Sequence, residues 1–104
     1  MNPLQLHSMI QEVVSALSQM PDVEKVYLFR MKTDSNGLAS FKLCVIFQTS
    51  EKQKAEAQIY RDIDCDIPFD VILYTPQEWA AQEKMVYSFA NRVKKEGYLL
   101  YEKS

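Results

Sequence analysis

VEKVYLFRMKTDSNGLASFKLCVIF, residues Val23 to Phe47, reads as two strands joined by a tight turn. Its first part, VEKVYLFRM, is rich in β-branched and aromatic residues, which suit a pleated, half-buried backbone. TDSNG follows as the strongest turn signal in the chain, with Asn36-Gly37 suited to positive φ. SFKLCVIFQ then alternates. Phe41, Leu43, Val45 and Phe47 point to one side of a strand, and Ser40, Lys42, Cys44 and Ile46 to the other. So short a turn forces the two strands to run antiparallel.

Working outward, MNPLQLHSMIQEVVSALSQM places Pro3 where a first-turn proline is tolerated. Leu4, Leu6, Met9, Ile10, Val13, Val14 and Leu17 recur with helical spacing, so an amphipathic helix ends near Met20-Pro21. Beyond the hairpin, SEKQKAEAQIYRDI opens with Ser50 as a cap and reads as a short helix whose charges form a wet face. IPFDVILYT is a third strand, and the helix before it permits a parallel pairing with the second. TPQEWAAQEKMVYSFANRVKKEG carries Thr75 as a cap, Pro76 at the first helical position and helix formers up to Gly97. A break into two helices is expected near Glu83–Met85, and YLLYE closes the chain as a short extended segment. The expected class is α/β (α+β): a small mixed β-sheet with helices mainly on one face.

The chain has 104 residues, enough for a single domain over 1–104, with 47% hydrophobic and 25% charged residues. A chain of this size buries roughly 60–70% of the surface its unfolded form exposes. Twelve Lys and Arg against 14 Asp and Glu leave a net charge of −2. That balance gives no broad attraction to nucleic acid or to an anionic membrane. No apolar run approaches the roughly 20 residues of a membrane span, and MNPLQLHSMIQEVV lacks the basic-then-apolar order of a signal peptide. A cytoplasmic location is expected.

Cys44 and Cys65 fit no metal-ligand spacing, and Cys44, inside an apolar run, reads as a small buried thiol. His7, the only histidine, reads as a surface helix residue. Trp79, Met85, Tyr87 and Phe89 are expected to pack helices onto the sheet, and Tyr98 and Tyr101 to cover a sheet edge. Exposure of those two tyrosines together with Phe29 would instead mark an interface. Asp62, Asp64 and Asp66 alternate in RDIDCDIPFD, which reads as an acidic, solvated loop rather than a Ca²⁺ or Mg²⁺ site.

Three segments, VEKVYLF, DIPFDVILYTPQEW and SFANRVKKEGYLLYE, give most of the chain a resemblance to the minimal nucleotidyltransferases of the DNA polymerase beta-like superfamily. The resemblance implies a nucleotidyltransferase-like fold. In that family the first strand enters a Gly-Ser turn that cradles phosphates. The second strand carries two carboxylates one residue apart, and the third strand adds another. Residues two apart on a strand share a face, so such carboxylates can hold two divalent ions against a triphosphate.

Here Arg30 and Met31 stand where the Gly-Ser pair belongs, Ser40 and Lys42 where the paired carboxylates belong, and Asp70 alone keeps the third position. The resemblance therefore implies a catalytically inactive domain acting as a binding or protein-interaction module, with no metal ligand set. Two alternatives stand beside it. One is nucleotide or phosphate binding through Arg30, Lys32 and Lys42; the other is an active nucleotidyltransferase with an atypical site, the only case that calls for Mg²⁺. Lys42 and Asp70 are expected to form an ion pair over the former metal position. Minimal nucleotidyltransferases often pair with a helical HEPN-type protein in toxin–antitoxin systems, so the resemblance also implies a protein partner, with a homodimer left open.

Overall fold

The computed structural model describes residues 7–104; Pro3, Leu4 and Leu6, assigned above to the first helix, lie outside that range. In chain order the elements are α1 (Ser8–Ser18), β1 (Val23–Asp34), β2 (Gly37–Phe47), α2 (Lys52–Asp62), β3 (Phe69–Tyr74), α3 (Pro76–Glu83), α4 (Phe89–Glu96) and β4 (Tyr98–Glu102). The four strands form one mixed sheet in the order β3-β2-β1-β4. β1 runs antiparallel to both β2 and β4, and β2 and β3 are parallel, as the helical connection between them permits.

The alternation along β2 decides the layering. Phe41, Leu43, Val45 and Phe47 enter a large core with Ile10, Val13, Val14 and Leu17 of α1 and with Ala55 and Ile59 of α2. Cys44 and Ile46, on the opposite face, meet Trp79 of α3 and Ala90 and Val93 of α4. Helices mainly on one face is thus corrected: α1 and α2 build the larger layer on one side, and α3 and α4 cover the other. The reason lies in β2 itself, which is buried at every residue from Leu43 to Phe47 and so needs cover on both sides.

The element ends follow from local chemistry. Among the described residues only Gly37 has positive φ, at 109°, so Asn36 does not share that role. The Asp34 carboxylate instead accepts the Asn36 N–H at 2.8 Å, which tightens the turn. Ser50 is not the cap of α2. Glu51 occupies that place without a side-chain cap bond, and its own N–H donates to Thr49 Oγ1 at 2.9 Å. α3 carries the expected Thr75 cap and Pro76, with a reciprocal bond between Thr75 and Glu78. Ser88 caps α4 by accepting from the Asn91 N–H. Gly97 ends α4 by proximity rather than by handedness: a Cβ there would lie 2.6 Å from the Leu28 carbonyl oxygen and 2.8 Å from that of Val93.

Several single-residue expectations are sharpened. His7 is exposed at the N-cap of α1, where its Nδ1 accepts the Met9 N–H at 3.1 Å. Trp79 is 3% exposed and packs as expected. The Phe89 ring meets Phe29 edge-on at 5.0 Å. Met85 and Tyr87, however, are 62% and 100% exposed and do not pack on the sheet. They sit in the connection between α3 and α4, which the Asn91 amide holds by donating to the carbonyls of Glu83 and Met85. Tyr98 and Tyr101 belong to the edge strand β4 and lean, half-buried, on the larger core. Phe29 packs with the smaller cluster on the opposite face, so the three do not form a shared exposed patch. Among the described residues no helix is long and apolar enough to cross a membrane.

Candidate functional site

The residues singled out from the sequence converge through strand register. In β2 and β3, Lys42 lies directly beside Asp70. In β1 and β2, Arg30 faces Lys42 and Lys32 faces Ser40. Cross-strand partners share a face of the sheet, so Asp70, Lys42 and Arg30 form one row over three strands, with Ser40 and Lys32 in the next row.

A register shift makes this possible. Leu28 pairs with Leu43, but Arg30, two residues on, pairs with Lys42, so Phe29 is an extra residue in β1. Without that bulge Arg30 would fall opposite Phe41 and point to the other face. Bulges re-aim side chains in this way. They carry no periodic signal, which is why sequence patterning does not reveal the one at Phe29.

The result is a cleft of about 340 Å³ lined by Arg30, Met31, Lys32, Ser40, Phe41, Lys42 and Asp70. Every residue named from the sequence is present. Phe41 is the one addition; it is buried in the large core and its ring stacks on Phe69 at 5.5 Å. Its inward alternation in SFKLCVIFQ was the signal for its burial, though not for a place beside the cleft.

Electrostatically the cleft is one-sided. It holds three cations and a single carboxylate, and none of the four joins an ion pair among the described residues. The expected Lys42–Asp70 pair is therefore corrected: the backbones are in register, but the charged heads do not reach ion-pair distance. The physical reason is hydration. Asp70 is exposed and Lys42 only half-buried, and a wet pair of this kind is worth about 0–1 kcal/mol once the side-chain entropy it gives up is included. Arg30 has a different contact, its guanidinium lying over the Phe29 ring at 4.8 Å.

Backbone geometry matters as much. Arg30 and Met31 are ladder-paired strand residues, opposite Lys42 and Phe41. The chain passes through this point as continuous strand, with no turn of convergent N–H groups to hold an anion.

The acidic run before β3 behaves differently. Ile63, Cys65 and Ile67 turn toward the large core, while Asp64 and Asp66 are exposed between them and Asp62, exposed too, is the last residue of α2 rather than part of the loop. Asp62 is engaged by Arg61 at 3.2 Å. Among the described residues no group of three or more His, Cys, Asp or Glu side chains comes together. Cys44 is fully buried, and that burial pushes its thiol up to about 12. Comparison with protein-family models found no match, and comparisons with curated proteins and with solved structures found none either.

Proposed function

We propose that this chain is a nucleotidyltransferase-like domain that binds through its former catalytic cleft and does not transfer nucleotide. One observation carries the reading: Asp70 is the only carboxylate among the cleft residues, with Ser40 and Lys42 in the positions that the resemblance assigns to a carboxylate pair. A two-ion mechanism needs several anionic oxygens to bridge its cations and brace the attacking and leaving groups. A lone carboxylate beside an ammonium supplies neither the charge nor the number of ligands. The continuous strand at Arg30 and Met31 supports the same reading, since it leaves no backbone cradle for a triphosphate.

The direct test offers labelled ATP, GTP, CTP and UTP with Mg²⁺ or Mn²⁺ to RNA and protein acceptors. No incorporation is expected. Transfer by the wild type that disappears in Asp70→Asn would overturn the proposal. A constructive test rebuilds the missing ligands. The double variant Ser40→Asp/Lys42→Asp places two carboxylates on the face of Asp70 and should gain Mn²⁺ binding, read by electron paramagnetic resonance. A partner of the HEPN type, as in toxin–antitoxin pairs, or a second copy of the chain, is proposed on the resemblance alone; sedimentation of the isolated protein addresses the second.

A further inference from the structure

We infer that the cleft at Arg30, Lys32 and Lys42 takes a compact oligophosphate anion directly on its side chains, with no divalent ion between. The inference rests on the non-transferring reading above and adds the ligand's chemistry. Its basis is an electrostatic tension inside the fold. Arg30 and Lys42 stand directly opposite each other on neighbouring strands, an arrangement in which like charges repel. Lys32, in the adjacent row, adds a third positive charge, and Asp70 offsets only one of the three.

The chain does not lack acids to relieve this. It has 14 Asp and Glu and a net charge of −2, and the described residues form ion pairs elsewhere, at Lys25–Glu102 and Arg92–Glu96 among others. A cleft with two uncompensated positive charges on an acidic protein is complementary to a multivalent anion.

The donors suit phosphate. Arg30 has its guanidinium over the Phe29 ring at 4.8 Å, and its planar N–H fork can bond two oxygens of one phosphate. Lys32 and Lys42 act as point charges, and Ser40 Oγ adds a neutral donor. A volume of about 340 Å³ is at the small end of ligand sites. It accommodates a short phosphate chain and leaves little room to enclose a base.

Asp70 gives the inference its sharpest consequence. In a metal-dependent site this carboxylate would hold the cation, and Asp70→Asn would abolish binding. In a metal-free site it repels the ligand, and the same change strengthens binding.

The test is calorimetry with inorganic tripolyphosphate in excess chelator, repeated with Mg²⁺, on the wild type and on Arg30→Gln, Lys42→Gln and Asp70→Asn. Expected are binding in chelator that weakens with salt, a loss of about tenfold for each cation variant, and tighter binding by Asp70→Asn. Lys54→Gln, outside the cleft, should bind as the wild type does. Thermal melts show that each variant is folded, and tripolyphosphate should raise the wild-type melting temperature. Equal affinity for ATP and tripolyphosphate assigns a free phosphate chain, and markedly tighter ATP assigns the same group carried on a nucleotide. Absence of binding with and without Mg²⁺ overturns the inference and leaves the non-transferring reading standing. Binding only with Mg²⁺, lost in Asp70→Asn, overturns it too, and label transfer under those conditions removes the underlying reading as well.

Discussion

Cys44 has no exposed surface and lies between the sheet and the two C-terminal helices, beside Trp79, Ala90 and Val93. Desolvation opposes formation of the thiolate and raises its pKa from 9.0 to about 12. The folded state therefore keeps its proton after the unfolded chain has released it. This contribution to stability is fully present below about pH 9 and is lost as pH rises toward about 12. Tyr27, in the same cluster, has its phenol raised from 10.0, chiefly by burial, and acts with the same sign at higher pH. Melting temperature should fall through this alkaline range, and Cys44→Ala should flatten the fall even though the variant melts lower at neutral pH. A thiol reagent at pH 8 should modify half-buried Cys65 and leave Cys44 untouched until denaturant is added. Identical alkaline slopes in the two proteins would remove Cys44 from the account.

At the scale of elements, the start of α3 joins three interactions. Glu78 N–H donates to Thr75 Oγ1 at 3.2 Å, Thr75 N–H donates to Glu78 Oε1 at 2.9 Å, and Lys52 pairs with Glu78 at 3.1 Å. Thr75→Ala should cost about 1 kcal/mol in chemical denaturation, since it removes the oxygen that satisfies an otherwise orphaned helix N–H. The bond from Thr75 N–H, followed by the contacts with Lys52, holds the Glu78 carboxyl below its ordinary 4.5. Its contribution is present above that value and is lost as pH falls through the lower folded-state pKa. Glu78→Gln should therefore show a shallower loss of melting temperature between pH 5 and 3 than the wild type. This cap was legible in TPQE because its donors and acceptors are three residues apart. Ser50 misled for a related reason: Thr49 precedes it with the same chemistry, and the turn there uses Thr49. Met85 and Tyr87 misled because apolar character alone does not say which residues of a helix–helix connection reach the sheet. The cleft shows both limits together. Lys42 and Asp70 follow from strand period and parallel pairing, whereas the arrival of Arg30 beside them depends on the extra residue at Phe29.

Across the whole molecule, burial and hydrogen-bonded order do not coincide. The β1–β2 ladder reaches Asp34 and Gly37, with register shifts after Leu28 and after Lys32, yet every residue from Arg30 to Gly37 is exposed, while Leu43 to Phe47 are all buried. The hairpin thus extends beyond the apolar cover that the helices give its base. Exposed strand pairs open by local fraying, but a strand enclosed by two helical layers releases its amides only when the layers part. Amide exchange followed by NMR should therefore divide one ladder in two. Leu43, Cys44, Val45 and Ile46 should exchange at the free energy of global unfolding, with rates that track denaturant as the whole protein does. Lys32, Thr33 and Leu38 should exchange orders of magnitude faster and respond little to denaturant, because their opening exposes little new surface. The boundary is expected between Ser40 and Lys42, which puts the cleft astride it: Asp70 and Lys42 on the stable side, Lys32 and Ser40 on the side that frays. Uniform protection along β1 and β2 would mean that the projecting hairpin is held by contacts beyond its own ladder, and this division of the fold would have to be abandoned.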